Sequence, residues 1–160
     1  MKRSPMMFGL DEFYGLKVEE VMERKDLPIL EKEATLDRVL SILAKKHHVW
    51  IVEDEHSKKI VGVITEHDVL DILAPKPFRY MLGAPDLRTL SRGIAEDIMS
   101  KNIIACSRKS TLREALERMK KHGVRRLPVV DGEILVGELR IHHIIEKYLS
   151  IVLWYSGAQG

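Results

Sequence analysis

The sequence predicts an α/β module of two pseudo-symmetric β-α-β-β-α units packed sheet to sheet, and three observations carry that prediction. The chain repeats itself: Val61-Gly62-Val63-Ile64-Thr65-Glu66-His67-Asp68 answers to Val136-Gly137-Glu138-Leu139-Arg140-Ile141-His142-His143, with the glycines 75 residues apart. Upstream, Glu20-Val21-Met22 matches Asp97-Ile98-Met99 at an offset of 77, so the copies differ by a short gap. Within each copy the apolar spacing changes from helical to strand-like. A long period present only twice marks a duplicated supersecondary unit rather than a solenoid.

In the first copy, Leu27–Leu30 is a brief apolar run that reads as a strand. Thr35 is placed to cap a helix whose positions Leu36, Val39, Leu40 and Leu43 share one face. Val49–Glu53 and Ile60–Ile64 read as strands around the polar turn Asp54–Lys59. A second helix starts near Thr65 and carries Val69, Leu70, Ile72 and Leu73 to Pro75, which stops it. In the second copy Ile103–Cys106 is strand-like, and Thr111-x-x-Glu114 is a capping box before Leu112, Ala115, Leu116 and Met119. Leu127–Val130, the Asp131-Gly132 turn and Ile134–Leu139 make a hairpin, and a helix from Ile141 through Ile144, Ile145, Tyr148 and Leu149 closes the unit. A unit of about 60 residues buries little apolar surface alone, so the two are expected to pack together and leave clefts at their junction.

The expected boundaries are an N-terminal extension (1–17), a first repeat (18–74), a linker (75–93) with a helical turn near Leu87–Leu90, a second repeat (94–149) and a tail (150–160). The apolar ends, Met6 to Tyr14 and Ile151 to Tyr155, either seal the pair or make an oligomer contact.

Composition narrows the function. The 160 residues are 45% apolar and 31% charged, as in a folded soluble protein. No apolar run approaches the ~20 residues that span a bilayer, and no apolar block follows the charged start to make a secretory signal, so a cytoplasmic location is expected. Cys106 is the only cysteine, which excludes an intrachain disulfide and a CxxC metal site. The histidine pairs His47-His48 and His142-His143 are adjacent and lack metal-ligand spacing. No nucleophile stands with a base and no phosphate-binding glycine loop occurs, so no metal, no catalytic cofactor and no enzyme activity is expected.

The net charge of +2 conceals an asymmetry. Residues 18–71 carry thirteen acids and eight bases, whereas residues 101–126 carry nine bases and two acids. A local basic surplus on a near-neutral chain fits an anionic ligand or partner. Thr65-x-x-Asp68 is a helix-capping pattern, yet it follows Gly62, where a backbone or ligand can approach closely, and the second copy replaces it with Arg140 and His143. A carboxylate at that helix start is placed to accept two ribose hydroxyls. Gly123-Val124-Arg125-Arg126-Leu127-Pro128 supplies guanidinium groups suited to phosphate. It answers to the segment around His48, with Arg125 set opposite His48 and Arg126 opposite Val49.

The doubled pattern of Val-Met, Thr-Leu, Arg-x-Pro-Val-x-Asp and Val-Gly-x-x-Thr-x-x-Asp resembles a tandem pair of cystathionine-β-synthase (CBS) domains over residues 18–149. The resemblance implies a stand-alone regulatory module that binds an adenosine nucleotide (AMP, ADP, ATP or a related adenosyl compound) between the repeats and signals to an effector protein. It also implies a homodimer. Carried over by motif, Asp68 holds the ribose, with Thr65 and Val63 on the same wall. Ile103, Ile104 and Pro128 enclose the adenine, and Arg125, Arg126, His142 and His48 face the phosphates. Two other readings are an empty dimerisation scaffold and a nucleic-acid binder using the basic span Lys101–Arg126.

Overall fold

The structure, a computed structural model, describes residues 9–75 and 92–157. The chain forms two compact units: a central one, Asp26–Ile103, and a C-terminal one made from Ile104 onward together with the chain up to Lys25. No described helix is long and apolar enough to cross a membrane.

The central unit contains β1 (Ile29–Glu31), α2 (Leu36–Lys46), β2 (His48–Val52), β3 (Ile60–Thr65), α3 (Glu66–Leu73) and the short α4 (Ala95–Ile98). The C-terminal unit contains α1 (Leu10–Tyr14), β4 (Cys106–Ser107), α5 (Leu112–His122), β5 (Arg126–Asp131), β6 (Ile134–Arg140) and α6 (Ile141–Gly157). Each has a three-stranded sheet, ordered β1-β2-β3 or β4-β5-β6, with the first pair parallel and the second antiparallel.

The helices form where the periodicity places them. Leu36, Val39 and Leu43 of α2 bury against Val49, Ile51 and Ile64. Leu112, Ala115 and Met119 of α5 bury against Leu127, Val129 and Leu139. Thr111 caps α5 by accepting from Glu114 N–H at 3.2 Å, but the Thr35 hydroxyl donates to the Asp37 carboxylate instead of capping α2. Both helices end in a left-handed residue, His47 (φ 69°) and Gly123 (φ 65°). Phe13 of α1 seals the C-terminal core and meets Tyr148 edge-on at 5.8 Å.

Strand register corrects the alignment of the copies. His48 lies opposite Thr65 just as Arg126 lies opposite Arg140, and Trp50 opposite Val63 as Pro128 opposite Glu138. The counterpart of His48 is therefore Arg126, not Arg125. The second copy has two residues, Val124 and Arg125, between its helix cap and its strand, where the first copy has none. The leading strands are also shorter and later than the apolar runs, at Ile29–Glu31 and Cys106–Ser107, which leaves Ile103 and Ile104 outside the sheet. The expected turn near Leu87–Leu90 lies outside the described residues.

The repeated Val-Met segments serve the opposite copy. Val18 N–H donates to the Ser110 carbonyl at 2.8 Å, and Glu23 and Glu138 exchange backbone hydrogen bonds of 2.9 and 3.0 Å. Val63 and Ser100 do the same at 3.0 and 2.9 Å in the central unit. These approaches explain the duplicated glycines. A Cβ on Gly62 would lie 2.4 Å from Met99 Sδ; on Gly137 it would lie 2.8 Å from the Glu23 carbonyl oxygen and 3.0 Å from Met22 Sδ. The close neighbour anticipated at Gly62 is thus Met99.

Gly62→Ala and Gly137→Ala should each lose on the order of 1–3 kcal/mol of stability, the usual cost of overpacking, in urea denaturation. Trimming Met99 to Ala should offset part of the Gly62→Ala loss in a double-mutant cycle. Met22→Ala should offset less of the Gly137→Ala loss, because a backbone carbonyl blocks that position.

Candidate functional site

Strand β3 passes directly into α3, with Thr65 at the N-cap in an extended conformation (φ −125°, ψ 173°). The first amide groups of a helix have no partner within it. Asp68 supplies one: its Oδ2 accepts from Thr65 N–H at 2.8 Å and lies 3.4 Å from Thr65 Oγ1. Among the described residues Oδ1 has no hydrogen-bond partner, and the side chain is half-buried. One carboxylate therefore has a structural oxygen and a spare acceptor, at a helix N-terminus that favours negative charge.

Alternation along β3 puts Val63 and Thr65 on one face, with Trp50 and His48 directly across on β2. The backbone of Val63 is committed to Ser100, which brings the segment leading to Ile103 alongside this wall. His48 is only 1% exposed, its Nδ1 lies 3.0 Å from the Lys46 carbonyl, and its ring meets Trp50 edge-on at 5.1 Å. Such a ring is packed into the sheet.

The C-terminal unit builds the same helix start with different chemistry. At the head of α6, Arg140 N–H donates to His143 Nδ1 at 3.0 Å. The fold can dispense with the carboxylate, as the sequence comparison of the copies anticipated, but it keeps an acceptor three residues after the cap. Burial and then the Arg140 guanidinium hold the His143 pKa below its usual value, against Glu138 and Glu23, which pull it up. A neutral imidazole accepting at Nδ1 has no second acceptor to offer a ligand.

Arg126 opens β5 and lies across from Arg140, on the sheet face shared with Pro128 and Glu138. Arg125 precedes the strand, accepts from Ile141 N–H at 2.9 Å and lines an open groove of about 460 Å³ with Leu116, Met119, Lys120, Val124 and Ile141. The two arginines thus serve different surroundings. His142 is exposed, with Nε2 3.1 Å from Glu146 Oε1. Of the expected site residues, His48, Val63, Thr65, Asp68 and Ile103 belong to the central unit. Ile104, Arg125, Arg126, Pro128 and His142 belong to the C-terminal unit.

Trp50, Glu138 and Arg140 were not among the expected site residues. Counting the 75-residue offset from Val63 and Thr65 points to the last two, whereas Trp50 needs the β2–β3 register. Burial pushes the Cys106 thiol up to about 11, so it stays protonated near neutrality. Among the described residues no group of three His, Cys, Asp or Glu side chains could hold a metal.

Residues 18–75 and 95–150 each match the CBS domain family. A homoserine O-acetyltransferase of Methanosphaera stadtmanae is 28% identical over 135 residues, covering 82% of this chain but 24% of its own length. An uncharacterised Rickettsia prowazekii protein is 24% identical, covering 84% of this chain and 38% of its own. The chain therefore spans between a quarter and two fifths of these curated relatives. Among solved structures, CBSX2 in complex with AMP aligns with a TM-score of 0.70 at 21% identity, covering 86% of this chain and 98% of that one. The CBS domain pair of protein MJ0100, in complex with 5′-methylthioadenosine and S-adenosyl-L-methionine, aligns at 0.64 and 24% identity, covering 83% and 95%. These likenesses establish the fold.

The His143 cap gives a pH dependence of definite sign. A histidine whose folded pKa is depressed binds fewer protons folded than unfolded, so its stabilisation is present above the unfolded value of about 6.5 and is lost as pH falls below it. Urea denaturation between pH 7 and pH 5 should show wild type losing stability more steeply than His143→Asp, in which a carboxylate caps α6 as Asp68 caps α3. Equal slopes would mean that His143 does not cap.

Proposed function

We propose that this chain, which belongs to the CBS domain family, is a non-catalytic sensor of an adenosine nucleotide that reports to an effector protein. The observation that carries the reading is the divided carboxylate of Asp68, whose Oδ2 holds the helix start while Oδ1 remains to accept from ribose. Thr65 and Val63 flank it, and Ile103, Ile104 and Pro128 supply apolar surface for adenine. Arg126 takes the phosphates, with Arg125 and His142 as further cations. His48, being buried, supports Thr65 from the facing strand instead of meeting the anion. The AMP complex of CBSX2 and the methylthioadenosine and S-adenosylmethionine complexes of the MJ0100 pair support an adenosyl ligand for this fold.

A ligand that binds one arrangement of the protein more tightly than another shifts the population toward it, and that shift is the signal. The reading includes a homodimer in the cytoplasm. Ile145, Leu149, Val152 and Leu153 recur at helical spacing along an exposed stripe of α6, and a second copy of the chain is its proposed occupant. Light scattering of wild type and Leu149→Asp checks this: a dimer reduced to a monomer is expected.

Binding is checked by thermal shift and titration calorimetry with adenosine and AMP. Both should raise the melting temperature, as any ligand of the native state does. Asp68→Asn keeps an oxygen to cap α3 but loses the charge, and should weaken adenosine and AMP alike by about 10-fold, the value of a charged hydrogen bond. Arg126→Ala should weaken AMP far more than adenosine. No shift with any adenosyl compound would leave Thr65 and Asp68 as a cap only. Affinity for RNA falling steeply with salt would favour the nucleic-acid reading.

A further inference from the structure

We propose that two copies of the chain associate through unlike surfaces: the acidic, leucine-bearing face of α3 on one copy seats in the basic-rimmed groove at the end of α5 on the other. Helix α3 (Glu66–Leu73) contains no fully buried side chain. Leu70 and Leu73 are 62% and 58% exposed, and with Glu66 they fall at i, i+4 and i+7, which is one stripe of the helix. Glu66, Asp68 and Asp71 lie in this helix, which has no Lys or Arg. Glu66 contacts His47, and Asp71 Oδ2 lies 3.5 Å from His67 Nδ1. Among the described residues neither acid pairs with a Lys or Arg.

The groove of about 460 Å³ lies where α5 ends in the left-handed Gly123 and α6 begins. Leu116, Met119, Val124 and Ile141 make it apolar, and Lys120 and Arg125 are exposed along it. A Cβ built on Gly123 would meet no atom within 4 Å, so the groove is open at that point. Among the described residues no acid pairs with Lys120 or Arg125. An open apolar groove of this kind takes the apolar face of an amphipathic helix, with anchors one turn apart. The cations beside it select a helix whose flanks are acidic, and α3 is such a helix. Ile141 stands one turn before Ile145, so the groove runs into the exposed α6 stripe.

The charge imbalance of the sequence favours this pairing over one of like with like. Residues 18–71 carry thirteen acids and eight bases, and residues 101–126 nine bases and two acids. Setting first repeat against first repeat opposes acid to acid, whereas setting first against second brings opposite signs together. A contact between unlike surfaces closes into a dimer when it is made twice between the same two copies, and otherwise propagates. The proposal rests on the homodimer reading for that closure and goes beyond it by assigning both faces.

The experiment is sedimentation equilibrium of the full chain, wild type against Lys120→Glu and Asp71→Lys, both at exposed positions. Each reversal replaces attraction with repulsion at both contacts of a closed pair, so each variant should dimerise about 10-fold more weakly than wild type. An equimolar mixture of the two variants should recover the wild-type affinity, because each copy then meets the opposite charge at both contacts. Leu70→Ser, which keeps every charge, should weaken the dimer by at least about 10-fold through lost apolar burial. A dimer unchanged by both reversals, or a mixture no tighter than either variant alone, would overturn the pairing while the dimer reading stood. A wild type that stays monomeric at every concentration would overturn both. Particles that grow steadily with concentration and are lost in either variant would uphold the contact and end the closed dimer.

Discussion

Each copy of the repeat must place a hydrogen-bond acceptor three residues into the helix that follows its hairpin. The chain passes from strand to helix there with no intervening loop, so the N-cap amide has no neighbour to pair with except the first turn itself. Asp68 meets the need with one of two carboxylate oxygens, and His143 meets it with the only acceptor a neutral imidazole has. The same constraint therefore leaves a spare acceptor in one unit and none in the other. The asymmetry between the units follows from an economy of lone pairs.

The second constraint is the close passage of each leading segment over the opposite copy's hairpin. Met99 lies on Gly62, and the Met22–Glu23 backbone lies on Gly137. These contacts fix Val63 and Glu138 by paired backbone hydrogen bonds, which leaves only their side chains for recognition. An apolar Val63 beside Thr65 makes an uncharged wall. A buried Glu138 beside Arg140 makes an electrostatic environment instead. One duplicated scaffold thus presents an uncharged strand end, Val63 and Thr65, in one unit and a charged one, Glu138 and Arg140, in the other.

Most of the regular structure was legible in the sequence because it depends on local rules. The spacing of Leu36, Val39 and Leu43, the Thr111 cap and the Asp131-Gly132 turn each specify their element without distant partners. Three features were not legible, and each depends on long-range pairing. The two-residue difference before β5 displaces the match between His48 and Arg126, which only the strand register reveals. Ile103 and Ile104 look like a strand, but Ser100 is bound to Val63 and the chain leaves for the other unit at that point. The exchange of the Val-Met segments cannot be inferred from a repeat, since either copy could pair with itself. Of the candidate site residues, the Asp68 cap of α3 was readable from the Thr-x-x-Asp motif. Arg140 was visible only as a departure from the first copy's Thr65, and the strand register sets it opposite Arg126.

The central claim is that the free oxygen of Asp68 recognises ribose hydroxyls, and it can be tested without altering the protein. Titration calorimetry should compare AMP with its 2′,3′-dideoxy analogue, which keeps the base and the phosphate and lacks both hydroxyls. The account predicts that the analogue binds at least about 10-fold more weakly, the loss expected for hydrogen bonds to a charged acceptor. Equal affinities would contradict it, and would reduce Asp68 to the cap of a helix.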